Sequence, residues 1–388
     1  MKYFVFSLFL SSSNVLKCTC DEVMDQSFKK DKITRMSWQK IQQGVRFQYF
    51  SPAYDYTGDL QAMHQGEDIH CIINDYGQIE QFKVPPYFDP ALPIKLFTHG
   101  FDDSISSYYH HYYYQYYKEA SRSDAGGLWF VKAWMKAHNN KVNVIMLDWS
   151  SIAKSIFLYF DYKYRAHDAI DVGNYLGRCL AKLSEETRVK AKDIHLLGHS
   201  LGAHLVGKAG RVYRALTGQP MARITGLDPA GPLWVAGGCL LDLLNPLLGD
   251  APLLRMNKLS RESAAFVDVL HTDGDYQPCG KKIRGLGLLE PVGHFDFYPS
   301  DGGQHQYGCD SRYLWGSIGF AEASCNRDRA VLYYLHRWSL FLYKAVLLTH
   351  ACSSIRYLLL FPFGRCCEPR PDANRRCSKV TTSLLTPL

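Results

Sequence analysis

The sequence predicts an α/β fold, a mainly parallel sheet flanked by helices. Two observations carry this expectation. Short apolar, β-rich runs recur at PIKLFTHGF, VNVIMLDWS, KDIHLLGHS, ARITGLDPA, FVDVLHT and GHFDFYPS, separated by helix-length segments. Strands of a parallel sheet are buried on both faces, so they read as continuous apolar runs. The third of these runs ends in Gly-x-Ser-x-Gly and passes at once into an Ala- and Leu-bearing segment, DIHLLGHSLGAHLVG. A strand, a sharp turn at serine and a helix follow in that order.

The first element in chain order is MKYFVFSLFLSSSNVLKC, a lysine, an apolar run from Tyr3 to Leu10 and then small polar residues. That is the layout of a secretory signal, placed at residues 1–17, and the run is too short to span a bilayer. A buried N-terminal strand is the competing reading. Next, YYHHYYYQYYKEA, Tyr108 to Ala120, is expected to form a helix whose tyrosines cover the domain while their hydroxyls reach water. HDAIDVGNYLGRCLAKLSEE, His167 to Glu186, has apolar residues at helical spacing and should pack on the sheet. No internal repeat or long linker interrupts residues 18–378, which read as a single domain. Residues 379–388 are left as a tail.

Composition narrows the function classes. The formal charge of +7 over 388 residues is modest, and outside Lys29, Lys30 and the region from Arg365 to Arg376 the basic residues are scattered. No nucleic-acid partner is expected. Twelve cysteines favour disulfides and an oxidising, extracellular compartment. No CxxC pair is present and no histidine has ligand spacing beside a cysteine, so neither a metal nor another cofactor is expected. The chain has no N-x-S/T sequon.

The serine run is the chemical signal. A hydroxyl is a poor nucleophile until a base takes its proton, a third group orients that base and donors await the oxyanion. Ser200, held between Gly198 and Gly202, is the candidate nucleophile, and an ordinary glycine-flanked turn is the plainer alternative. In this strand–turn–helix arrangement an acid and a histidine follow the serine along the chain. Asp228, at the end of the strand in GLDPAGPLW, is the candidate acid, with a turn-forming Asp-Pro as its bland reading.

At this point FTHGF, VIMLDWS, GHSLGAH, GLDPAGP, FVDVLHTDG, GHFDFYPSDGGQHQYGC and CNRDRA together resemble the pancreatic lipase family of secreted lipid-ester hydrolases, from about Val45 to Cys366. The resemblance implies the α/β-hydrolase fold, stapled by disulfides, and a triacylglycerol lipase or phospholipase-A1-like activity on a lipid or membrane surface. It makes Ser200 the nucleophile and Asp228 the acid, with the backbone N–H groups of Phe101 and Leu201 as the oxyanion hole. The lid would be a short loop from Cys309 to Cys325, closed by a disulfide. Resemblance also suggests Cys352 with Cys366 and Cys367 with Cys377, while Cys239 with Cys279 is a further candidate pair. The family's calcium loop matches RMNKLSRES, where Ser260 and Ser263 stand in place of carboxylates, so no calcium site is expected.

The family base, two residues after the closing cysteine, is here Arg327. A guanidinium stays protonated and cannot serve as base; near Asp228 it is expected to form an ion pair. His199, His271, His294 and His336 are the histidines that could stand in, and none lies at the family position. Three readings follow: a lipase homologue severely impaired in hydrolysis, an active lipid-ester hydrolase that has another base or a sequence error at position 327, and a non-catalytic lipid-binding, storage or carrier protein with a protein partner of unknown kind. The segment VAGGCLLDLLNPLLGDAPLL after GPLW either packs over the sheet or inserts its leucines into lipid.

Overall fold

A computed structural model describes residues 36–56, 66–105, 126–155, 159–235, 251–274, 285–303, 306, 309, 320–335, 363–368 and 376–381. Within them the predicted strands form. β1 (Arg46–Phe50), β2 (Glu67–Asp68), β5 (Ile94–Thr98), β6 (Asn143–Asp148), β7 (Ile194–His199), β8 (Arg223–Leu227), β9 (Phe266–Leu270), β10 (Phe295–Pro299), β11 (Phe363–Glu368) and β12 (Arg376–Thr381) make one sheet. Its order is β12-β11-β10-β9-β8-β7-β5-β6-β1-β2. The six central strands, β6 to β10 in that order, are parallel, with antiparallel pairs at both edges. β3 (His70–Ile73) and β4 (Ile79–Lys83) form a separate hairpin.

The central runs are apolar on both faces because both faces are covered. Ile94, Leu96, Ile194, Leu196, Ile224 and Val267 belong to one core cluster, and Phe97, Val144, Leu197, Leu227, Leu270 and Phe297 to another. Alternate residues of a strand point to opposite faces, so one sequence run feeds both cores. The helix read from His167 to Glu186 extends over Tyr159–Thr187 and packs on the helix Leu201–Thr217. At Gly173 an added Cβ would lie 2.5 Å from Leu205 O, so only glycine lets the two backbones approach this closely.

Chain order places the site. β5 is flanked by β6, which follows it, and by β7, which follows β6. At such a reversal of strand order the loops at the carboxyl ends diverge and leave a crevice. Phe101 follows β5, Ser200 follows β7 and Asp228 follows β8, so all three stand at that end.

Nearer the amino ends of the same strands lies a polar chain. Lys95 Nζ is 2.7 Å from His195 Nδ1, and His195 Nε2 is 2.8 Å from Thr225 Oγ1. The Thr225 hydroxyl donates to Asp268 Oδ1 at 2.9 Å, and Arg223 donates to both oxygens of Asp268 at 2.8 and 2.7 Å.

Two disulfides are formed among the described residues. Cys309–Cys325 is the one the resemblance implied for the lid. Cys71–Cys179 ties the β3–β4 hairpin to the long helix and had no counterpart in the sequence reading. The strand register sets Cys367 opposite Cys377. Cys239, Cys279, Cys352, His336, the leucines 240–248 and the tyrosine run 108–120 lie outside the described residues.

Candidate active site

Ser200 is the residue between β7 and the helix Leu201–Thr217, with φ 54° and ψ −119°. A non-glycine residue at positive φ costs about 1–3 kcal/mol and persists only where its surroundings fix it. Here Ser200 N–H donates to Leu227 O at 3.0 Å, and Ser200 O accepts from Ala203 N–H at 3.1 Å and Ala230 N–H at 3.3 Å. The turn is also tight: a Cβ at Gly202 would collide with His99 O, and one at Gly100 would lie 2.7 Å from Ser200 Cβ. Only 3% of Ser200 is exposed, and its hydroxyl makes no hydrogen bond among the described residues.

Phe101 lies in the loop after β5, its ring edge-on to Tyr162 with centroids 5.3 Å apart. Trp149 Nε1 donates to His99 O at 2.9 Å and steadies that loop. Leu201 opens its helix, where the first N–H groups have no intrahelical acceptor. Leu201 directly follows Ser200, and Phe101 directly follows Gly100, where an added Cβ would lie 2.7 Å from Ser200 Cβ.

Asp228 is fully buried beside it. Residues His199 and Leu227 are paired across β7 and β8, so Ser200 and Asp228 leave adjacent strands at the same level. Asp228 Oδ1 accepts from Thr272 N–H at 2.8 Å and Asp273 N–H at 2.9 Å. Its Oδ2 is buried with no hydrogen-bond donor among the described residues. Gly287 makes the room: a Cβ there would lie 2.5 Å from Oδ1 and 2.7 Å from Oδ2. Burial pushes Asp228 up to about 6, opposed by the two backbone donors and by the charges of His271 and Arg327. Asp273 beside it is raised well above the usual carboxylate range by its own burial and then by the Asp228 charge.

Arg327 comes from the helix Phe320–Tyr333, just after the Cys309–Cys325 bridge. Thr272 Oγ1 donates to Arg327 O at 3.5 Å, which sets this helix against the loop that holds Asp228. The sequence-predicted Ser200, Asp228 and Arg327 thus share one corner. The expected ion pair with Asp228 does not form. Arg327 Nε is instead 3.9 Å from Asp328 Oδ1, because the neighbouring residue offers a carboxylate that is a third exposed, whereas Asp228 is closed in behind Thr272 and Gly287. The Arg327 charge still acts on Asp228, on Asp273 and on His199. Sequence reading missed Asp273, Asp328 and Gly287. Asp273 and Asp328 stand in the quoted FVDVLHTDG and CNRDRA, but only the fold turns them towards the site.

The other histidines have structural partners. His271 is bracketed by Leu288 O at 2.7 Å and Asp296 Oδ1 at 2.9 Å and stacks on Tyr298. His294 Nδ1 accepts from Val267 N–H at 2.9 Å. His199 is fully buried, with Nε2 4.0 Å from Asp328 Oδ1, and burial followed by the Arg327 charge holds it well below the usual histidine range.

The family's calcium loop does not fit a cation here. Arg211 donates to Asn257 O at 2.7 Å, to Lys258 O at 3.1 Å and to Ser263 Oγ at 2.8 Å, so a guanidinium already holds the oxygens of this loop. Ser260 and Ser263 cap a short 3₁₀ turn in place of carboxylate ligands. Among the described residues no group of three His, Cys, Asp or Glu is placed to hold a metal.

With this geometry in view, the lipase family model matches residues 15–379. Lipoprotein lipase of Rattus norvegicus is 40% identical over 168 residues, 43% of this chain and 29% of the relative. Pancreatic lipase-related protein 2 of Myocastor coypus is 34% identical over 202 residues, 50% of this chain and 37% of the relative, and the human protein of that description is 34% identical over 203. The matched stretch spans about a third of the length of these curated relatives.

Proposed function

The chain belongs to the lipase family, and on that premise we propose that it is a secreted lipid-binding homologue of the carboxylic ester hydrolases whose hydrolysis is severely impaired. Ser200 is its nucleophile position, Asp228 its acid and Leu201 and Phe101 its oxyanion donors, with Arg327 where the base would stand. The observation that carries this is the Asp228 carboxylate. Its Oδ1 is fully bonded while its buried Oδ2 lacks a donor among the described residues. That is the oxygen an imidazole N–H would occupy, and the residue brought to that corner is a permanent cation. Without a base the Ser200 proton has no acceptor, so acyl transfer stops at its first step. Loss of the base alone in a comparable Ser/His/Asp site costs about 10⁶ in turnover.

Disulfides support an extracellular compartment, and the family supports a lipid surface as partner. The test is ester hydrolysis by the full chain beside its Arg327→His variant, on a short-chain ester and a phospholipid emulsion, with Ser200→Ala as the blank. Native protein is expected at the blank and the histidine variant well above it. Turnover by native protein above the Ser200→Ala blank would show that another base works here.

A further inference from the structure

We propose that Arg211 is a positioning residue. Its guanidinium serves as a built-in cation for residues 257–263, in the place of a divalent ion, and through His204 it fixes the Ser200 turn.

The loop offers oxygens that suit a guanidinium and not a metal. Arg211 Nη1 donates to Lys258 O at 3.1 Å and to Ser263 Oγ at 2.8 Å, and Nη2 donates to Asn257 O at 2.7 Å. Asn257 directly follows the helix Ala251–Met256, so its carbonyl stands at a helix end, where an arginine is a favoured partner. A divalent ion needs anionic oxygen in its shell, and Glu262, the carboxylate of this loop, is exposed and takes a bond from Ser260 instead. A guanidinium spreads one charge over a fork of donors and is satisfied by neutral acceptors. The loop also lies close on the helix that Arg211 belongs to: a Cβ at Gly210 would collide with Ser263 O, and one at Gly207 would lie 3.1 Å from Leu259 Cα.

From this clamp a chain of bonds runs to the site. Leu259, fully buried within the clamped stretch, donates its N–H to His204 Nδ1 at 3.1 Å. That puts the ring proton on Nε2, which donates to Ala230 O at 2.9 Å. Ala230 N–H in turn donates to Ser200 O at 3.3 Å, and Ala230 lies two residues beyond Asp228. Burial holds His204 down at about 3, so the ring stays neutral and keeps this tautomer, with Trp234 stacked on it at 3.8 Å between centroids. A loop released at Arg211 therefore loosens a chain that ends on the carbonyl of the nucleophile itself.

The experiment is thermal unfolding of the full-length protein in calcium and in excess EDTA, with amide hydrogen exchange read at Leu259 and Ala230. It compares native protein with Arg211→Ala, Arg211→Lys and the triple variant Arg211→Ala, Ser260→Asp, Ser263→Asp. Native Tm is expected to be the same in calcium and in EDTA. Arg211→Ala should unfold about 5 °C or more lower, because three acceptors lose their donor, and exchange at both amides should rise about tenfold or more. Arg211→Lys, which keeps the charge and loses the fork, should fall between the two. The triple variant should regain Tm in calcium and lose it again in EDTA, since its new carboxylates let a divalent ion take over the vacated oxygens. A native Tm that responds to calcium or EDTA, an Arg211→Ala Tm equal to native, or a triple variant indifferent to calcium overturns the cation role. A fall in Tm with unchanged exchange at Ala230 overturns the link to Ser200. If Arg211→Ala does not fold, the native response and Arg211→Lys decide, and a lysine variant equal to native in both readouts overturns the assignment. None of these readouts involves ester turnover, so they stand apart from the test of the impaired site.

Discussion

The two ends of the same parallel strands treat buried polar groups in opposite ways. Towards the amino ends, Lys95, His195, Thr225, Asp268 and Arg223 form an unbroken chain from cation to carboxylate, with both Asp268 oxygens bonded. At the carboxyl ends, Ser200 sits at positive φ with an unbonded hydroxyl, and Asp228 Oδ2 and Asp273 Oδ1 have no donor among the described residues. A closed network returns the cost of burying its members as rigidity. An open one leaves that cost standing, which persists where a ligand or a missing catalytic partner would complete it.

The comparison can be broken from either end. The largest effect is expected at Arg327→His, which gives Asp228 Oδ2 a donor and Ser200 a base, with ester turnover rising about a thousandfold or more over native, short of the full 10⁶ because the new ring is unsupported. In that background Gly287→Ala should abolish most of the gain, because its Cβ displaces the Asp228 carboxylate; losing the acid in a comparable triad costs about 3 × 10⁴ in turnover. If the double variant keeps the full rate, Asp228 does not act as the acid.

At the closed end the readout is stability. Asp268→Ala leaves the Arg223 charge and the Thr225 hydroxyl without their acceptor, so a loss of about 3–5 kcal/mol is expected from urea unfolding. A loss near zero would mean that the network is incidental. The smallest effect is one of pH. Burial lowers Lys95 to about 7 from the 10.5 of an exposed lysine, helped by the Arg223 charge and opposed by Asp268. Between pH 7 and 10.5 the unfolded chain therefore holds the extra proton, and this residue makes stability rise with pH across that window. His195 meets it from the adjacent strand, Arg223 and Asp268 act on it from the two strands beyond, and His138 feels its charge. Lys95→Met should flatten the rise in Tm between pH 7 and 9. An unchanged slope would place the titration elsewhere.

Much of this is legible in the sequence. The six central strands were read from apolar runs because a strand covered on both faces has no polar alternation to hide it, and Gly198-His199-Ser200-Leu201-Gly202 marks its own turn because larger residues at either glycine would strike the neighbouring backbone. What was misread has a common cause. The Arg327–Asp228 ion pair was inferred from nearness of position along a pattern, and the fold sets Asp328 closer. Cys71–Cys179 joins residues 108 apart in sequence, and Gly287 reaches Asp228 across a loop, contacts that no local spacing encodes.

The sequence by itself determined the α/β alternation, the serine turn, the acid after the next strand and the arginine where a base belongs, because each depends on residue type and order within a short window. Only the tertiary structure decided which carboxylate Arg327 pairs with, which oxygen of Asp228 is left open and which polar groups are closed into a chain beneath it. Those depend on strand register and on atoms brought within about 3 Å from distant segments, and at that distance a hydrogen bond is either made or missing.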